Sequence, residues 1–248
     1  MTETCAAIAG LLGFGYEYLN AAAGGKAIYR RWKMLARQGE NAGFTPLVAY
    51  ASEGLLDAML DNLGEASVKS CLEYHAKLLP IAEKIDAFEL LQARLNEGIA
   101  EQDPIELLGN FIPVRAPEGE ESLCLSCRNH AREVLILKCP TQNPWELPLF
   151  LPVGGVSDCP APAEQAAVFR FWQEFYGAAP VVAAFDIWEL RVERPPVQLL
   201  EAERLAMQQF AFDYDLVLQA HRNDGDSIRA LASHLMGTKA WYFWWHLR

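Results

Sequence analysis

The residues best suited to chemistry lie in and just after one short stretch, CLSCRNH. Cys124, Cys127 and His130 belong to it, and Cys139 follows. Thiolate and imidazole are ligands that Zn²⁺ prefers, and a Cys-x-x-Cys pair is a common half of a zinc site. However, the other half would be a lone cysteine, and the alternating pattern of a strand through Leu123–Cys127 would point the two thiols to opposite faces. A metal or redox site at Cys124, Cys127 and His130 is therefore an alternative, and no cofactor is predicted.

A second possible reaction centre consists of His221 and the acids near it in the sequence. Asp213, Asp215, Asp224 and Asp226 flank this histidine on both sides. Carboxylates beside an imidazole could bind a cation or orient a general base. Acids in such positions more often cap helices and face water. An enzyme or small-ligand-binding protein with a site at His221, Asp213 and Asp215 is thus the alternative function.

The glycine-containing stretches do not match known catalytic loops. Ser157 in GGVSD lacks the Gly-x-Ser-x-Gly pattern of a nucleophile elbow. GLLGFG, near the N-terminus, follows no predicted strand and lacks the glycine spacing of a dinucleotide-binding loop. No complete catalytic constellation is visible, so the sequence favours a non-enzymatic function and leaves an enzyme open.

The hydrophobic pattern of the first half predicts mainly helices. Helical spacing runs through residues 26–40, and the apolar run Phe44–Tyr50 predicts a buried strand. Ser52 is expected to cap a helix that ends near Leu63. Residues 67–100 also look helical, and we expect Pro80 to split them into two helices because proline cannot continue a helix.

The second half alternates strands and helices. We expect strands at Leu123–Cys127 and Val134–Leu137 and two short strands around Asp186. Expected helices span 163–176, with Val168, Phe169, Trp172 and Phe175 inward, then Leu199–Leu218, and Ser227–Met236 capped by Asp226. The whole predicts an α/β fold, a mixed β-sheet flanked by helices, with an acidic helical region in the N-terminal half. We place a mainly helical region at residues 1–110 and an α/β region at 111–248, packed as one unit.

The C-terminal stretch KAWYFWWHLR predicts a strand with aromatic residues on both faces. Trp241, Phe243 and Trp245 share one face, and Tyr242 and Trp244 share the other. Each such ring buries about 150–250 Å². Because leaving several rings exposed is unusual for a monomer, we expect a docked strand that belongs to the core.

The charge distribution excludes some classes of partner. The net charge is −11, and residues 53–103 hold eleven acidic and four basic side chains. This balance argues against nucleic-acid binding, which requires a basic surface, and permits a basic protein partner. No apolar run reaches the roughly 18 residues of a membrane helix, and the first residues lack the positive region of a signal peptide. A cytoplasmic protein with reduced cysteines is expected.

The C-terminal half resembles a bacterial family of unknown function whose members end in a W-x-F-W-W motif. The similarity covers about residues 133–246, with a weaker match at 29–50, and rests on a few pieces that occur in the order of the family. They are PWELPLFLPVGGVSDCP, FRFWQEFYGAAPVV, WELRVERPP, FAFDYDLVLQA and WYFWWHLR. The resemblance supports the fold and implies little chemistry.

These observations favour a binding protein. We expect a cytoplasmic immunity protein that neutralises a toxin delivered between bacteria, possibly a basic nuclease, by direct protein–protein contact. Opposite charges on the two proteins would speed their association. The acids expected at the partner-binding surface are Asp57, Asp61, Glu118, Glu120, Glu121, Asp213, Asp215, Asp224 and Asp226.

Overall fold

A mixed, open six-stranded sheet forms the centre of the computed structural model, which describes residues 1–20, 24–100, 102–113, 133–219 and 227–246. The strands lie in the order β1-β3-β2-β4-β5-β6. Their bounds are β1 Tyr16–Leu19, β2 Thr45–Tyr50, β3 Val134–Cys139, β4 Ala179–Ala183, β5 Ile187–Arg191 and β6 Ala240–Trp244. β2 and β4 are parallel, and the other neighbouring pairs are antiparallel. The predicted α/β class is confirmed.

Helices cover both faces of this sheet. Within the described residues they are α1 Glu3–Leu12, α2 Gly25–Ala42, α3 Glu53–Glu65, α4 Cys71–Ala82, α5 Ala87–Ile99, α6 Pro104–Leu108, α7 Leu147–Phe150, α8 Pro162–Tyr176, α9 Leu199–Phe212, α10 Asp215–Leu218 and α11 Ile228–Leu235. β1 and β2 precede residue 110 and the other four strands follow it. The sheet therefore contains strands from both the mainly helical region placed at residues 1–110 and the α/β region placed at 111–248.

The strands β2 and β3 are buried on both faces, as their continuous apolar sequences predict. Leu135 and Leu137 of β3 belong to the larger hydrophobic core, and Val134 and Ile136 belong to a smaller one. Side chains of a strand alternate between faces, so one apolar strand supplies both cores. β6 is an edge strand; its Trp241 and Phe243, and Trp245 just after it, are buried, which confirms that the aromatic ending is core.

Among the described helices, α2 is the one that packs on the smaller core. Ile28, Trp32 and Leu35 form its buried stripe. The return from helix to strand is tight at Gly39, where an added Cβ would lie 2.1 Å from the carbonyl oxygen of Phe44. No larger residue fits that approach without moving the backbone.

Two predicted helix boundaries are wrong. Pro80 does not split the helix: it lies inside α4, near its end, where its missing N–H costs a hydrogen bond in the last turn only. The next helix, α5, begins at Asp86, whose carboxylate accepts from the N–H groups of Phe88 and Glu89. The predicted helix Leu199–Leu218 is broken between α9 and α10 at Asp213.

Two predicted side-chain roles also need correction. Phe175 is exposed and does not face inward, because the inward face of α8 already carries Val168, Phe169 and Trp172. Ser227, and not Asp226, caps α11, since its hydroxyl accepts from the N–H of Ala230. Asp226 and the strand expected at Leu123–Cys127 lie outside the described residues. No helix in the described ranges has the length and apolarity to cross a membrane.

Candidate functional site

An acidic ridge runs along the exposed side of α3. Glu53, Asp57, Asp61 and Glu65 follow one another at four-residue spacing, and all four are exposed. Residues four apart are neighbours on one face of a helix, so the four carboxylates form one row. Of these four acids, the sequence-based prediction includes Asp57 and Asp61; the same four-residue spacing also leads to Glu53 and Glu65, which it leaves out.

The ridge is electrostatically uncompensated by the rest of the described chain. α3 contains no basic residue, and none of its four carboxylates forms a hydrogen bond or ion pair with another described residue. Like charges four residues apart destabilise a helix by about 0.2–0.5 kcal/mol per pair. The fold thus tolerates a small cost that no described internal contact offsets.

The opposite side of α3 holds the ridge in place. Leu55, Met59 and Leu63 are buried in the core, and the Ser52 hydroxyl caps the helix by accepting from the N–H of Leu55 at 3.1 Å. Beside the acids, Leu60 is 48% exposed. The ridge is therefore a rigid row of carboxylates with an apolar side chain next to it, which can contact a partner without prior ordering.

The start of the ridge lies beside the turn between β4 and β5. An added Cβ at Gly54 would approach the ring of Phe185 to 3.1 Å, so α3 packs closely on this turn. The next residue, Asp186, accepts a hydrogen bond from the indole N–H of Trp244 at 3.1 Å. The amino end of α3 and the carboxyl end of β6 therefore lie near the same edge of the sheet.

Asp213 does not belong to any exposed surface, which corrects the prediction for this residue. Its side chain is completely buried. One carboxylate oxygen accepts from the N–H of Trp244 at 2.9 Å, and the other accepts from the N–H of Asp215 at 3.1 Å. These bonds tie the edge strand β6 to the corner between α9 and α10. Asp213 is inaccessible to a macromolecular partner, and its described contacts are structural.

Burial raises the pKa of Asp213 well above its ordinary value. The nearby carboxylate of Asp215 raises it further, while the backbone N–H groups that point at Asp213 act in the opposite direction. Desolvation disfavours the charged form of an acid, and it is the largest of these causes.

Asp215 is partly exposed and bonds to the end of the described chain. Its carboxylate accepts from the backbone N–H of His246 at 2.6 Å. Together with Asp186 it adds negative charge to the edge where α3 begins. The structure thus brings Asp215 towards the same edge of the sheet as α3. Glu118, Glu120, Glu121, Asp224 and Asp226 lie outside the described residues.

The residues of the alternative sites are mostly outside the described chain as well. This applies to Cys124, Cys127, His130 and His221. Cys139 is fully buried on β3, and burial raises the pKa of its thiol well above the ordinary value. In the part of the chain that the structure describes, no group of three or more histidine, cysteine or acidic side chains could hold a metal.

A histidine–carboxylate pair that the sequence did not reveal joins α4 to the residues before α7. A ring nitrogen of His75 lies 2.7 Å from a carboxylate oxygen of Glu146, and the Asn143 amide donates to the other oxygen at 2.7 Å. Burial alone would raise the pKa of Glu146, but the hydrogen bonds from His75, Asn143 and Thr141 outweigh it and lower the pKa.

The surroundings of this pair favour a structural role. The His75 ring stacks on Phe150 with 3.9 Å between ring centres. The thiol of Cys71, one turn away on α4, is fully buried, and burial raises its pKa to about 12. No local pattern announces the pair, because its two members are 71 residues apart in the sequence.

The comparisons with known proteins concern the second half of the chain. Residues 135–246 match the model of a family described as a domain of unknown function, DUF4253. This match runs from β3 to the end of β6 and supports the resemblance to a family of unknown function over the second half of the chain; α3 and its acidic ridge lie before it. Neither the comparison with curated proteins nor that with solved structures found a match.

Proposed function

We propose that this chain is a cytoplasmic bacterial binding protein, and that it acts as an immunity protein that neutralises an interbacterial toxin by direct contact. The partner would be a basic protein, such as a nuclease whose own surface is positive. The chain would inhibit by covering this surface, with no covalent chemistry.

The observation that carries the proposal is the acidic ridge on α3. Its four exposed carboxylates have no basic partner among the described residues, and Leu60 beside them is half exposed. A helix that keeps uncompensated like charges in one row is suited to a positively charged surface outside the chain. Asp215 and Asp186 supply further negative charge near the start of the ridge.

The mechanism follows from long-range electrostatics. Complementary charge can raise association rate constants from about 10⁵–10⁶ to as much as 10⁸–10⁹ M⁻¹s⁻¹ at low salt. An immunity protein benefits from speed, since the toxin must be captured before it reaches its substrate. The ridge is part of a capped, packed helix, so little conformational entropy is lost on binding.

The direct test is co-expression of this chain with the products of the genes beside its own. The chain should protect cells from one of these products and co-purify with it. The double variant Asp57→Lys/Asp61→Lys should weaken that complex by at least about tenfold, chiefly through the association rate. Glu40→Lys/Glu97→Lys changes the net charge equally at exposed acids of α2 and α5, and should leave binding nearly unchanged.

Two outcomes would contradict the proposal. One is that no neighbouring gene product is bound and no protection is observed. The other is that both double variants weaken a complex equally, because binding would then depend on total charge and not on the ridge.

A further inference from the structure

A second exposed surface has the opposite character to the ridge. Four large apolar side chains at the end of α8 and the start of α9 each have at least half of their surface exposed; two of them, Phe175 and Leu200, line one groove, and the other two neighbour Leu200 in the sequence. The four are Phe175 at 57%, Val197 at 73%, Leu199 at 50% and Leu200 at 63%. Contiguous apolar patches of this kind on a soluble domain usually mark an interaction surface. We call these four residues the apolar patch.

A groove and a projecting side chain both lie at the apolar patch. A groove of about 330 Å³ lies between α8 and α9, with Phe171, Phe175 and Leu200 among its apolar walls and Gln208 among its polar residues. Val197, the most exposed residue of the patch, lies just before the groove residue Gln198. One surface therefore has a side chain that can fill a groove and a groove that can receive it.

The patch is rigid before any partner arrives. The guanidinium group of Arg194 donates to the carbonyl oxygens of Gln173, Glu174 and Phe175 at 2.7–3.3 Å, which caps the end of α8. The Trp172 indole donates to the Gln208 side chain at 3.1 Å, which fixes a groove residue. The segment around Arg194, which leads from β5 into α9, is thus held on α8, and binding would need little ordering.

Two unpaired charges of opposite sign also face this groove. Glu201 and Arg204 both line it, one helical turn apart on α9, and both are exposed. Neither forms an ion pair or hydrogen bond with another described residue. The two charges cancel, so the groove carries no net charge in a chain whose net charge is −11.

We propose that the occupant of this surface is a second copy of the chain, in a symmetric dimer built on the exposed face of α9, with the apolar patch of each copy beside the two-fold axis. In a two-fold dimer both copies use the same surface, so every contact occurs twice. An axis crossing α9 between residues 202 and 203 places Glu201 opposite Arg204 of the second copy. The same axis brings Val197 towards the groove residue Gln208 of the second copy.

This assignment explains features that one chain leaves unused. The unpaired cation and anion complement each other across the axis, and the projecting side chain fills the groove. A foreign protein would have to supply an apolar side chain, a carboxylate and a basic group at matching positions. A second copy supplies all three at once.

The oligomeric state of the full-length chain tests the proposal. Sedimentation analysis over a wide concentration range should show a species of twice the 27.7 kDa mass at high concentration. Leu200→Asp places a charge at the centre of the patch and should weaken the dimer by at least about a hundredfold. Ile105→Asp, at an 83% exposed apolar residue of α6, is the matched control and should leave the dimer intact.

Charge reversal then tests the two-fold geometry itself. Glu201→Arg and Arg204→Glu should each weaken self-association by roughly tenfold, because each creates like charges across the axis. A mixture of these two single variants should form a heterodimer of near wild-type affinity, since opposite charges then face each other again. Circular dichroism of each variant, unchanged from wild type, shows that the fold is retained.

A chain that stays monomeric at all concentrations overturns the proposal. A dimer that Leu200→Asp leaves unchanged, or a mixture of single variants that does not restore association, overturns this interface.

Discussion

The acidic ridge on α3 and the apolar patch at α8 and α9 are both rigid and exposed, yet they differ in almost every physical property. The ridge has four like charges and one half-exposed leucine. The patch has four exposed apolar side chains, and the groove beside it is lined by two charges that cancel. A row of like charges attracts an oppositely charged partner over a distance of about 10 Å at 0.1 M salt, whereas an apolar patch acts only on contact.

This difference predicts different responses to salt. Binding through the ridge should weaken as salt rises, because screening removes the attraction. Self-association through the patch should change less with salt, because screening weakens the Glu201–Arg204 pairs across the axis but also reduces the repulsion between two copies that each carry a charge of −11. The two proposed interfaces are therefore distinguishable by their response to salt.

The largest expected effect comes from removing the aromatic support beneath the patch. Trp172 is fully buried, stacks on Phe243 with 5.4 Å between ring centres, and contacts Trp241 and Phe212 edge to face. Trp172→Ala should lower the free energy of unfolding by about 3–5 kcal/mol, since a large cavity remains. It should also weaken dimerisation, because the indole no longer holds Gln208 in the groove.

Urea denaturation and sedimentation would measure these two effects. Trp172→Phe keeps most of the ring packing but loses the indole hydrogen bond, so it separates the two contributions. If Trp172→Ala unfolds at nearly the same urea concentration as wild type, the aromatic cluster does not support this half of the molecule.

A smaller effect distinguishes the buried acid from the exposed ones. Burial raises the pKa of Asp213, so the folded chain binds its proton more tightly than the unfolded chain does. The stability that this group contributes is present below its unfolded pKa and is lost as the pH rises through the folded pKa. Relative to wild type, Asp213→Asn should therefore become more stable as the pH rises from about 4 towards neutrality.

Urea denaturation of both proteins at a series of pH values provides the measurement. Parallel profiles for wild type and Asp213→Asn would show that burial does not shift the titration of this acid.

Much of the fold was predictable because it depends on local patterns. The stripe of Ile28, Trp32 and Leu35 predicts α2, and the apolar run at Val134–Leu137 predicts a strand buried on both faces. The errors arise where distant residues decide. Asp213 ends α9 because its carboxylate bonds to Trp244, 31 residues further along, and no local signal predicts this contact.

The candidate surfaces show the same division. Asp57 and Asp61 were named as candidates from the acidic composition of their region, and the four-residue spacing of the ridge was present in the sequence. The apolar patch was missed because Phe175 has the helical spacing of a core residue. Only the packing of α8 shows that its buried face is already complete without Phe175 and that this ring projects beside α9.

The smallest expected effect concerns the stability cost of the ridge. Asp57→Lys/Asp61→Lys turns the two outer like-charge pairs of the row into opposite-charge pairs and leaves one like-charge pair in the middle, so the free energy of unfolding should rise by about 0.5–1 kcal/mol at low salt. The gain should shrink at about 0.5 M salt, where such pairs are screened. Urea denaturation at both salt concentrations is the measurement.

A variant that gains stability while losing its partner cannot have lost the partner through unfolding. That combination would show that the acids of α3 are kept for binding at a cost to the fold. If the double variant is less stable than wild type, or equally stable at both salt concentrations, the four carboxylates do not repel one another measurably. The ridge would then differ from the apolar patch in composition, but it would have no measurable cost in stability.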